Sequence, residues 1–504
     1  MLVAIAANPP LAYSAPMSIL KKLGIALIVI VLVLLVAGWW VMRGSPAQYS
    51  VEDVTGDDPV LAEPDPQLIP TVKVARPIGW EEGQSPKAAD GLAVNRFAEG
   101  LNHPRVIYTM PNGDVIAALA NAPDREIAGG WLTNLVAGFL FREAGAAVPS
   151  ADALVLLRDG DGDGVAEEQH VLREGLASPS GIGFADGKLY VANHDALIRF
   201  DYEEGATAIT GEPEKLMDLP PAGNHWMRNL VLSPDNSTIY VAVGSASNIG
   251  ESGMEIEEGR AAIHEYDIAS GSHRLFGAGL RNPNGLDWNP WTGELWTTVN
   301  ERDMLGSDLV PDYMSNVPVG AQYGWPWFYW GDVMDERVDH PMPNYLVEYT
   351  RRPEMALGPH VAALGLVFSR EGTMMGPRFA NGAFVARHGS WNRKPPAGYD
   401  LVFVQFDLRG NPTGKPVPVL ESFLTPEGQT HGRPTWLAWD KTGALLLSDD
   451  TAGIIWRIIA PGAEAHLAIE RNSGDRLPPQ RELRGAPSRG AFEEPPADLG
   501  PGAL

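Results

Sequence analysis

Six copies of one short pattern run along this chain: an apolar strand-like stretch, a turn built on Gly, Asp or Asn, then a second stretch ending in small or polar residues. The copies read Arg105-VIYTMPNGDVIAALA, Gly181-IGFADGKLYVAN, Asn229-LVLSPDNSTIYVAVGS, Gly285-LDWNPWTGELWTTVN, Gly365-LVFSREGTMMGPRFANGAFVAR and Pro434-TWLAWDKTGALLLSDD. A hairpin unit repeated every roughly 40–60 residues cannot bury its apolar faces alone, and stacking such units around a ring gives a β-propeller with one copy per blade. The expected fold class is therefore all-β, a six-bladed β-propeller. Uneven spacing between copies places insertions between blades. One rim of the central channel gathers residues from every repeat, and function is to be sought there.

The chain has 504 residues, a length that a propeller absorbs without splitting into domains. Its 55 glycines and 43 prolines suit many tight turns, and its 15 tryptophans supply apolar plates for packing between blades. A formal charge of −25 argues against nucleic acid as a partner, since phosphates would be repelled. Cysteine is absent, which is compatible with an oxidising compartment but does not require one.

From Leu23 to Met42 no residue carries a formal charge, and Lys21-Lys22 and Arg43 flank the run. About 20 apolar residues is the length a helix needs to cross a bilayer core, and Trp39-Trp40 suits the headgroup zone. Residues 44–71 hold six acids and no Lys or Arg, so the positive-inside tendency places 1–22 in the cytoplasm and the large domain outside. A cleaved signal peptide is the alternative; the apolar run is longer than the usual core of one, and a small-x-small cleavage site is missing. The expected organisation is a cytoplasmic N-terminus (1–22), a transmembrane anchor (23–42), an acidic Pro-rich solvated linker (43–71), the propeller (72–460) and a disordered tail (461–504). Trp131, Leu132, Leu135, Val136, Phe139 and Leu140 fall on one helical face, for a helix that caps the propeller or rests on a membrane.

Three patterns carry chemistry. Asp159-GDGDG followed by Glu167 has the acidic first, third and fifth positions and the sixth-position Gly of a calcium loop, but His170 stands twelfth and the flanks read as strands. A structural calcium turn and a plain acidic turn are equal readings. His225, in Gly223-NHWMRN, enters the third repeat and could act as a general base, although a lone histidine is more often a structural hydrogen-bonder. At equivalent positions stand Leu280-RNPNG, Asn300-ERDMLGSDLVPD, Gly358-PHVAALG, Arg387-HGSWNRK and Thr430-HGRPT. Arg281, Arg393 and Arg433 thus converge on one rim of an acidic protein, which points to a polyanionic small molecule, and the adjacent carboxylates point to a hard cation such as calcium. Scattered surface salt bridges are the bland alternative.

Taken together, His225-WMRNLVLSPDNSTIYVAVG, LRNPNGLDWNP, NERDMLG, QYGWPW, HGSWNR and GRPTWLAW resemble the glucose/sorbosone dehydrogenase family, six-bladed propellers that use pyrroloquinoline quinone (PQQ) with calcium. The resemblance is nearest to the L-sorbosone dehydrogenase branch and covers roughly Val94 to Ile459. It implies a PQQ-dependent sugar dehydrogenase in which His225 takes the proton from the sugar C1 hydroxyl while hydride passes to the quinone. By the same resemblance Arg281 polarises the quinone oxygens with Asn282 beside it, Arg393 and Arg433 pair with the cofactor carboxylates, and His360 stands where a threonine commonly contacts the cofactor. Calcium would lie by the Asp303 region, through main-chain carbonyls, with Asp308 near. The cation and arginines draw electron density from the quinone so that hydride can add. Electrons would leave to a membrane quinone or a soluble cytochrome.

The chain departs from the better-understood members of that family at three positions. Their catalytic histidine is oriented by an aspartate; here that position is Ser245, preceded by Gly244, and Asn224 stands just before His225. Ser178 stands where a glutamine contacts the quinone. Losing the carboxylate weakens the base and its tautomer preference. Glu251 could replace it, the substrate could be an easily oxidised aldehyde hydrate, or only binding could remain. Two readings of other kinds stay open: a lactonase-type propeller, which would want an acidic metal cage in the channel, and a membrane-tethered scaffold that holds no quinone. An NAD enzyme is disfavoured, because no G-x-G-x-x-G joins a strand to a helix.

Overall fold

The structure is a computed structural model that describes residues 19–123, 138–221 and 223–472. It divides into two units, Met1–Gly44 and Ser45–Leu504. The first holds one helix, Ile19–Arg43, whose side chains from Leu23 to Val36 are exposed where they are described. Among the described residues no helix is long and apolar enough to cross a membrane, so the anchor expected at 23–42 rests on the sequence.

The second unit is the six-bladed propeller that the repeats demand. Blade one is Pro104–Thr109, Val115–Leu119, Ala153–Arg158 and Glu168–Arg173; blade two runs from Gly181–Ala185 to Glu214–Asp218. Blades three, four and five begin at Leu230–Leu232, Pro283–Trp288 and Ala363–Phe368, each continued by antiparallel neighbours, with a short parallel strand, Ala321–Gln322, added to the edge of blade three. Blade six is Pro434–Trp439, Leu445–Asp449 and Ile454–Ile459, and its outer strand is Ala93–Ala98, antiparallel to Ile454–Ile459. The ring therefore closes by joining a strand from the start of the propeller to the last one.

Local sequence explains how the innermost strands crowd the channel. Gly181, Gly285 and Gly365 open three of the repeats, and a Cβ on each would press into the next blade's inner strand. At Gly285 it would lie 2.7 Å from Leu366 N, and at Gly365 2.9 Å from Leu437 N. Repeated tryptophans then staple neighbours together. Trp288 Nε1 donates to Leu232 O at 2.8 Å, and Trp439 Nε1 donates to Phe368 O at 3.0 Å. The turn at Asp159 caps itself: Asp159, Asp161, Asp163 and Glu167 all accept backbone amides of their own loop. The helical face expected from Trp131 lies mainly outside the described residues, with helix described at 138–143.

Two segments differ from expectation. Residues 45–71 are not a solvated linker. Val54 and Thr71 are fully buried; Ala47 N donates to Lys394 O, Asp65 N to Leu305 O, and Gln67 N to Met304 O. Acidic, Pro-rich composition suggests a free arm, but here backbone groups do the docking, and composition is blind to those. The first part of the supposed disordered tail also lies on the blades: His466 bonds Thr373 Oγ1 and Gly376 O, and Asn472 N donates to Trp291 O. Residues 473–504 lie outside the described residues.

The arm seals one buried ion pair. Arg393 Nη2 meets Asp308 Oδ1 at 3.1 Å and Tyr49 O at 3.2 Å, while the amides of Gln48 and Tyr49 donate to Asp308 Oδ2. Removing one partner would leave a buried charge uncompensated. Arg393→Ala is expected to lower stability by roughly 3–5 kcal/mol, read from chemical denaturation, and a chain lacking residues 45–71 should unfold at lower temperature than one beginning at Ser45.

Candidate functional site

In an antiparallel blade the start of the innermost strand and the end of the second lie at the same edge. That topology brings Ser178, His225, Arg281, Asn282, His360 and Arg433, all ahead of inner strands, to the rim that also receives Ser245, Asn300 to Asp303, His388 and Asp450.

His225 is held from one side. Its Nδ1 lies 2.8 Å from Ser245 O and 3.0 Å from Ser245 Oγ. A carbonyl only accepts, so Nδ1 carries the proton and Nε2 is the unprotonated ring nitrogen. Ser245 Oγ donates to Ser247 O at 2.7 Å, which turns its own lone pairs toward the imidazole. A Cβ on Gly244 would strike both Asn282 Oδ1 and His225 Cβ, so this glycine lets the third and fourth blades meet at the histidine. Glu251 does not replace the missing aspartate; its carboxylate caps the amides of Asn248 and Ile249.

Arg281 is buried and fully engaged. Nε donates to Asn248 O, Nη1 to the carbonyls of Asn300 and Glu301, and Nη2 to Asn248 Oδ1 at 2.8 Å and Asp303 Oδ2 at 3.0 Å. Its contribution at the rim is charge rather than a free donor. Asp303 also faces His360 Nδ1 at 3.3 Å, and His360 Nε2 lies 3.0 Å from Gly306 O. Burial by itself would raise the Asp303 pKa, but Arg281 and His360 outweigh it and hold the carboxyl below its usual range. Burial also works against a charged His360, yet Asp303 more than compensates, so the imidazole titrates above its ordinary value.

Several residues that the sequence did not mark complete this rim. Asn248 bridges blades by accepting from Arg281 and from Asp303 N and by donating to Asp303 O. Asp312 joins Glu301 N to Ala362 N, and burial pushes its carboxyl up to about 7. Asp450 receives Arg105 and His388. Arg337, from the insertion between the last two strands of blade four, donates to the carbonyls of Asp303 and Met304 at 3.0 and 3.1 Å. None of these has a local signature, because each contact joins segments far apart in the chain.

The expected ligands sort accordingly. Arg393 and Asp308 pair with each other beneath the N-terminal arm, which had no part in the sequence reading. The main-chain carbonyl of Asp303 accepts from Arg337 and Asn248, and its carboxylate accepts from Arg281. Ser178 is buried, with its amide on Asp152 Oδ1. Arg433 is different. It is buried, its guanidinium lies 5.2 Å over the Tyr399 ring, its Nε has no partner, and no carboxylate pairs with it among the described residues. Asn282 Oδ1 is likewise buried without a partner, although its Nδ2 donates to Asn300. An orphaned cation and an orphaned acceptor on the same rim fit an acidic, polar ligand. Among the described residues the acids grouped as a metal cage are those of the Asp159 turn, outside this rim.

A propeller with this rim has known counterparts. Residues 152–318 and 344–460 match the TrAA12-like family, and the chain belongs to that family. An uncharacterized protein of Borreliella burgdorferi is 25% identical over 300 residues, covering 57% of this chain and 77% of the other. A pyrroloquinoline quinone-dependent sugar dehydrogenase of Hypocrea jecorina is 23% identical over 422 residues, covering 74% of this chain and 89% of that protein. Among solved structures, the carbohydrate-active enzyme of family AA12 from Trichoderma reesei superimposes with a TM-score of 0.60 at 21% identity, over 77% of this chain and 98% of that one. The PQQ domain of pyranose dehydrogenase from Coprinopsis cinerea, in its holo form, gives 0.58 at 21% identity, over 77% and 100%. At these identities the two structures speak for the fold.

The His388 site titrates against stability. Burial lowers the imidazole pKa to about 4 from the ordinary 6.5; Asp450 opposes this, and Arg105 and Arg433 add to it. Between those two values the unfolded chain binds the extra proton, so this group's share of stability falls as pH drops through the window. His388→Asn should flatten the pH dependence of unfolding free energy there, as measured by denaturant titration at a series of pH values.

Proposed function

We propose that this protein is a PQQ-dependent oxidoreductase of sugars, acting on an aldose or a sorbosone-like sugar aldehyde, with calcium as the accompanying cation. The observation that carries this reading is Arg433, a buried guanidinium stacked on Tyr399 with no carboxylate partner among the described residues. A cation in that state needs an anion from outside the protein, and PQQ is a planar tricarboxylic acid. The names of the Hypocrea jecorina and Coprinopsis cinerea relatives support the same cofactor class.

When bound, PQQ with calcium supplies an electron-poor quinone that takes a hydride from the sugar. The chain's own residues do the rest. Arg433 and the Asn282 amide hold the cofactor's polar groups, and calcium lies by the Asp303 region. Arg281 lends positive charge from beneath, fixed in place by five bonds. His225 takes the hydroxyl proton on Nε2 as the C–H bond breaks, because Ser245 keeps Nδ1 protonated. A carbonyl and a hydroxyl stabilise an imidazolium less than a carboxylate does, which favours a substrate such as an aldehyde hydrate. The uncharged run 23–42 tethers the propeller to the cytoplasmic membrane on its outer side, and electrons leave to a membrane quinone or a cytochrome.

The test is titration of the full chain with PQQ and calcium, following quinone absorbance and then dye reduction with a panel of aldoses and sorbosone. Saturable binding and sugar-dependent reduction are expected. His225→Ala should cost about 10²–10⁴-fold in turnover with binding retained. Arg433→Ala should weaken cofactor binding by about 1.5–3 kcal/mol, the usual worth of a hydrogen bond to a charged group. Absence of binding would sink the quinone reading and leave a tethered scaffold.

A further inference from the structure

Resting on the reading of His225 as the base, the structure assigns the orienting role of the missing aspartate to Glu257, a positioning residue that acts through the loop 244–249. Glu257 closes a single turn of 3-10 helix, Met254–Glu257, and is buried. Its two oxygens reach back to that loop: Oε1 accepts from Ser247 Oγ at 2.5 Å and Oε2 from Ala246 N at 2.8 Å. Ser247 Oγ also accepts from Gly250 N at 3.0 Å.

The residues so clamped are the ones that set the site. Ser245 lies just before them and bonds His225 Nδ1 through both its carbonyl and its hydroxyl, and the hydroxyl is aimed by Ser247 O. Asn248 lies just after them and holds Arg281 and Asp303. Ser245 N donates to Arg281 O at 2.8 Å, so the two halves are tied together. A shift of the 245–247 peptides would change the acceptor offered to Nδ1 and release the tautomer.

Glu257 is not explained as an ion-pair partner. No salt bridge to it occurs among the described residues; Arg260, the nearest cation, spends Nε on Ile256 O and Nη2 on Pro221 O. Burial raises the Glu257 pKa, and its bonds to Ser247 and Ala246, with the charge of Arg260, partly offset that. A buried carboxylate without a direct ion pair is costly. What it secures in return is two well-aimed bonds to one loop, where a neutral amide would offer an acceptor at only one of the two oxygen positions.

The experiment uses the full chain as Glu257→Gln, Ser247→Ala and His225→Ala, each checked for folding by near-ultraviolet circular dichroism. Nitrogen-15 NMR of labelled histidines, assigned by the signal lost in His225→Ala, reports the tautomer without cofactor or turnover. The wild type should show Nδ1 protonated, and Glu257→Gln and Ser247→Ala should each show mixed tautomers. Turnover should fall on the order of 100-fold, the scale of a misplaced catalytic group, with the dissociation constant of PQQ unchanged and the acidic limb of the pH–rate profile displaced. An unchanged tautomer and pH profile in folded Glu257→Gln and Ser247→Ala would overturn the assignment. If His225→Ala retains full turnover, the reading of His225 as base fails, while the NMR result still decides whether Glu257 holds that ring. Should Glu257→Gln not fold, Ser247→Ala alone decides.

Discussion

A ring of blades holds its shape only while its last blade is complete, and here blade six takes its outer strand, Ala93–Ala98, from the other end of the propeller. Every other contact at the rim depends on that closure. Inner strands that approach as closely as Gly285 approaches Leu366 or Gly365 approaches Leu437 would splay if the circle opened. Because closure couples residues more than 350 positions apart in sequence, the fold has a large loop-closure cost that only the summed burial of all six sheets can offset.

Within that ring, buried arginines do much of the positioning. Arg302 is fully buried between Glu301 and Asp335, with the carbonyls of Pro326 and Phe328 taking its remaining donors. Arg281 and Arg393 are settled in the same way by Asp303 and Asp308. A guanidinium so enclosed fixes the backbone segments around it, since moving any one strands a charge in a region of low dielectric. Against this pattern Arg433 stands out as a buried arginine of the rim that, among the described residues, meets an aromatic face and no carboxylate. Three arginines of one sequence constellation are therefore held in three different ways. One pairs with Asp303, one seals the N-terminal arm, and one lies over Tyr399.

Much of the architecture was legible because it is written locally. Alternating apolar runs, Gly and Asp turns, and the six-fold recurrence of both specify hairpins and their number. The rim positions of His225, Arg281, Asn282 and Arg433 follow from the repeat phase. Long-range hydrogen bonds were not legible. Glu257 and Asn248 look like ordinary loop residues, and Arg337 sits in an insertion without pattern. Arg393 matched a cofactor position by motif, yet its guanidinium donates to the Tyr49 carbonyl, 344 residues away, and to Asp308. Acidic, proline-rich residues 45–71 read as a solvated linker for a similar reason: what docks them is mainly backbone, which side-chain composition does not report.

The sequence by itself determined the blade count, the rim on which a site must lie, the histidine and arginines that reach it, and the absence of a carboxylate at position 245. These are properties of local periodicity and of residue identity at a known phase. Tertiary structure alone decided which of those side chains face one another: that Ser245 meets His225 with its carbonyl as well as its hydroxyl, that Asp303 pairs with Arg281 and His360 while Asp308 pairs with Arg393, and that Arg433 lies over Tyr399. The physical reason is that hydrogen bonds and ion pairs are short-ranged and directional, so their partners are fixed by the closing of the ring and not by any spacing along the chain.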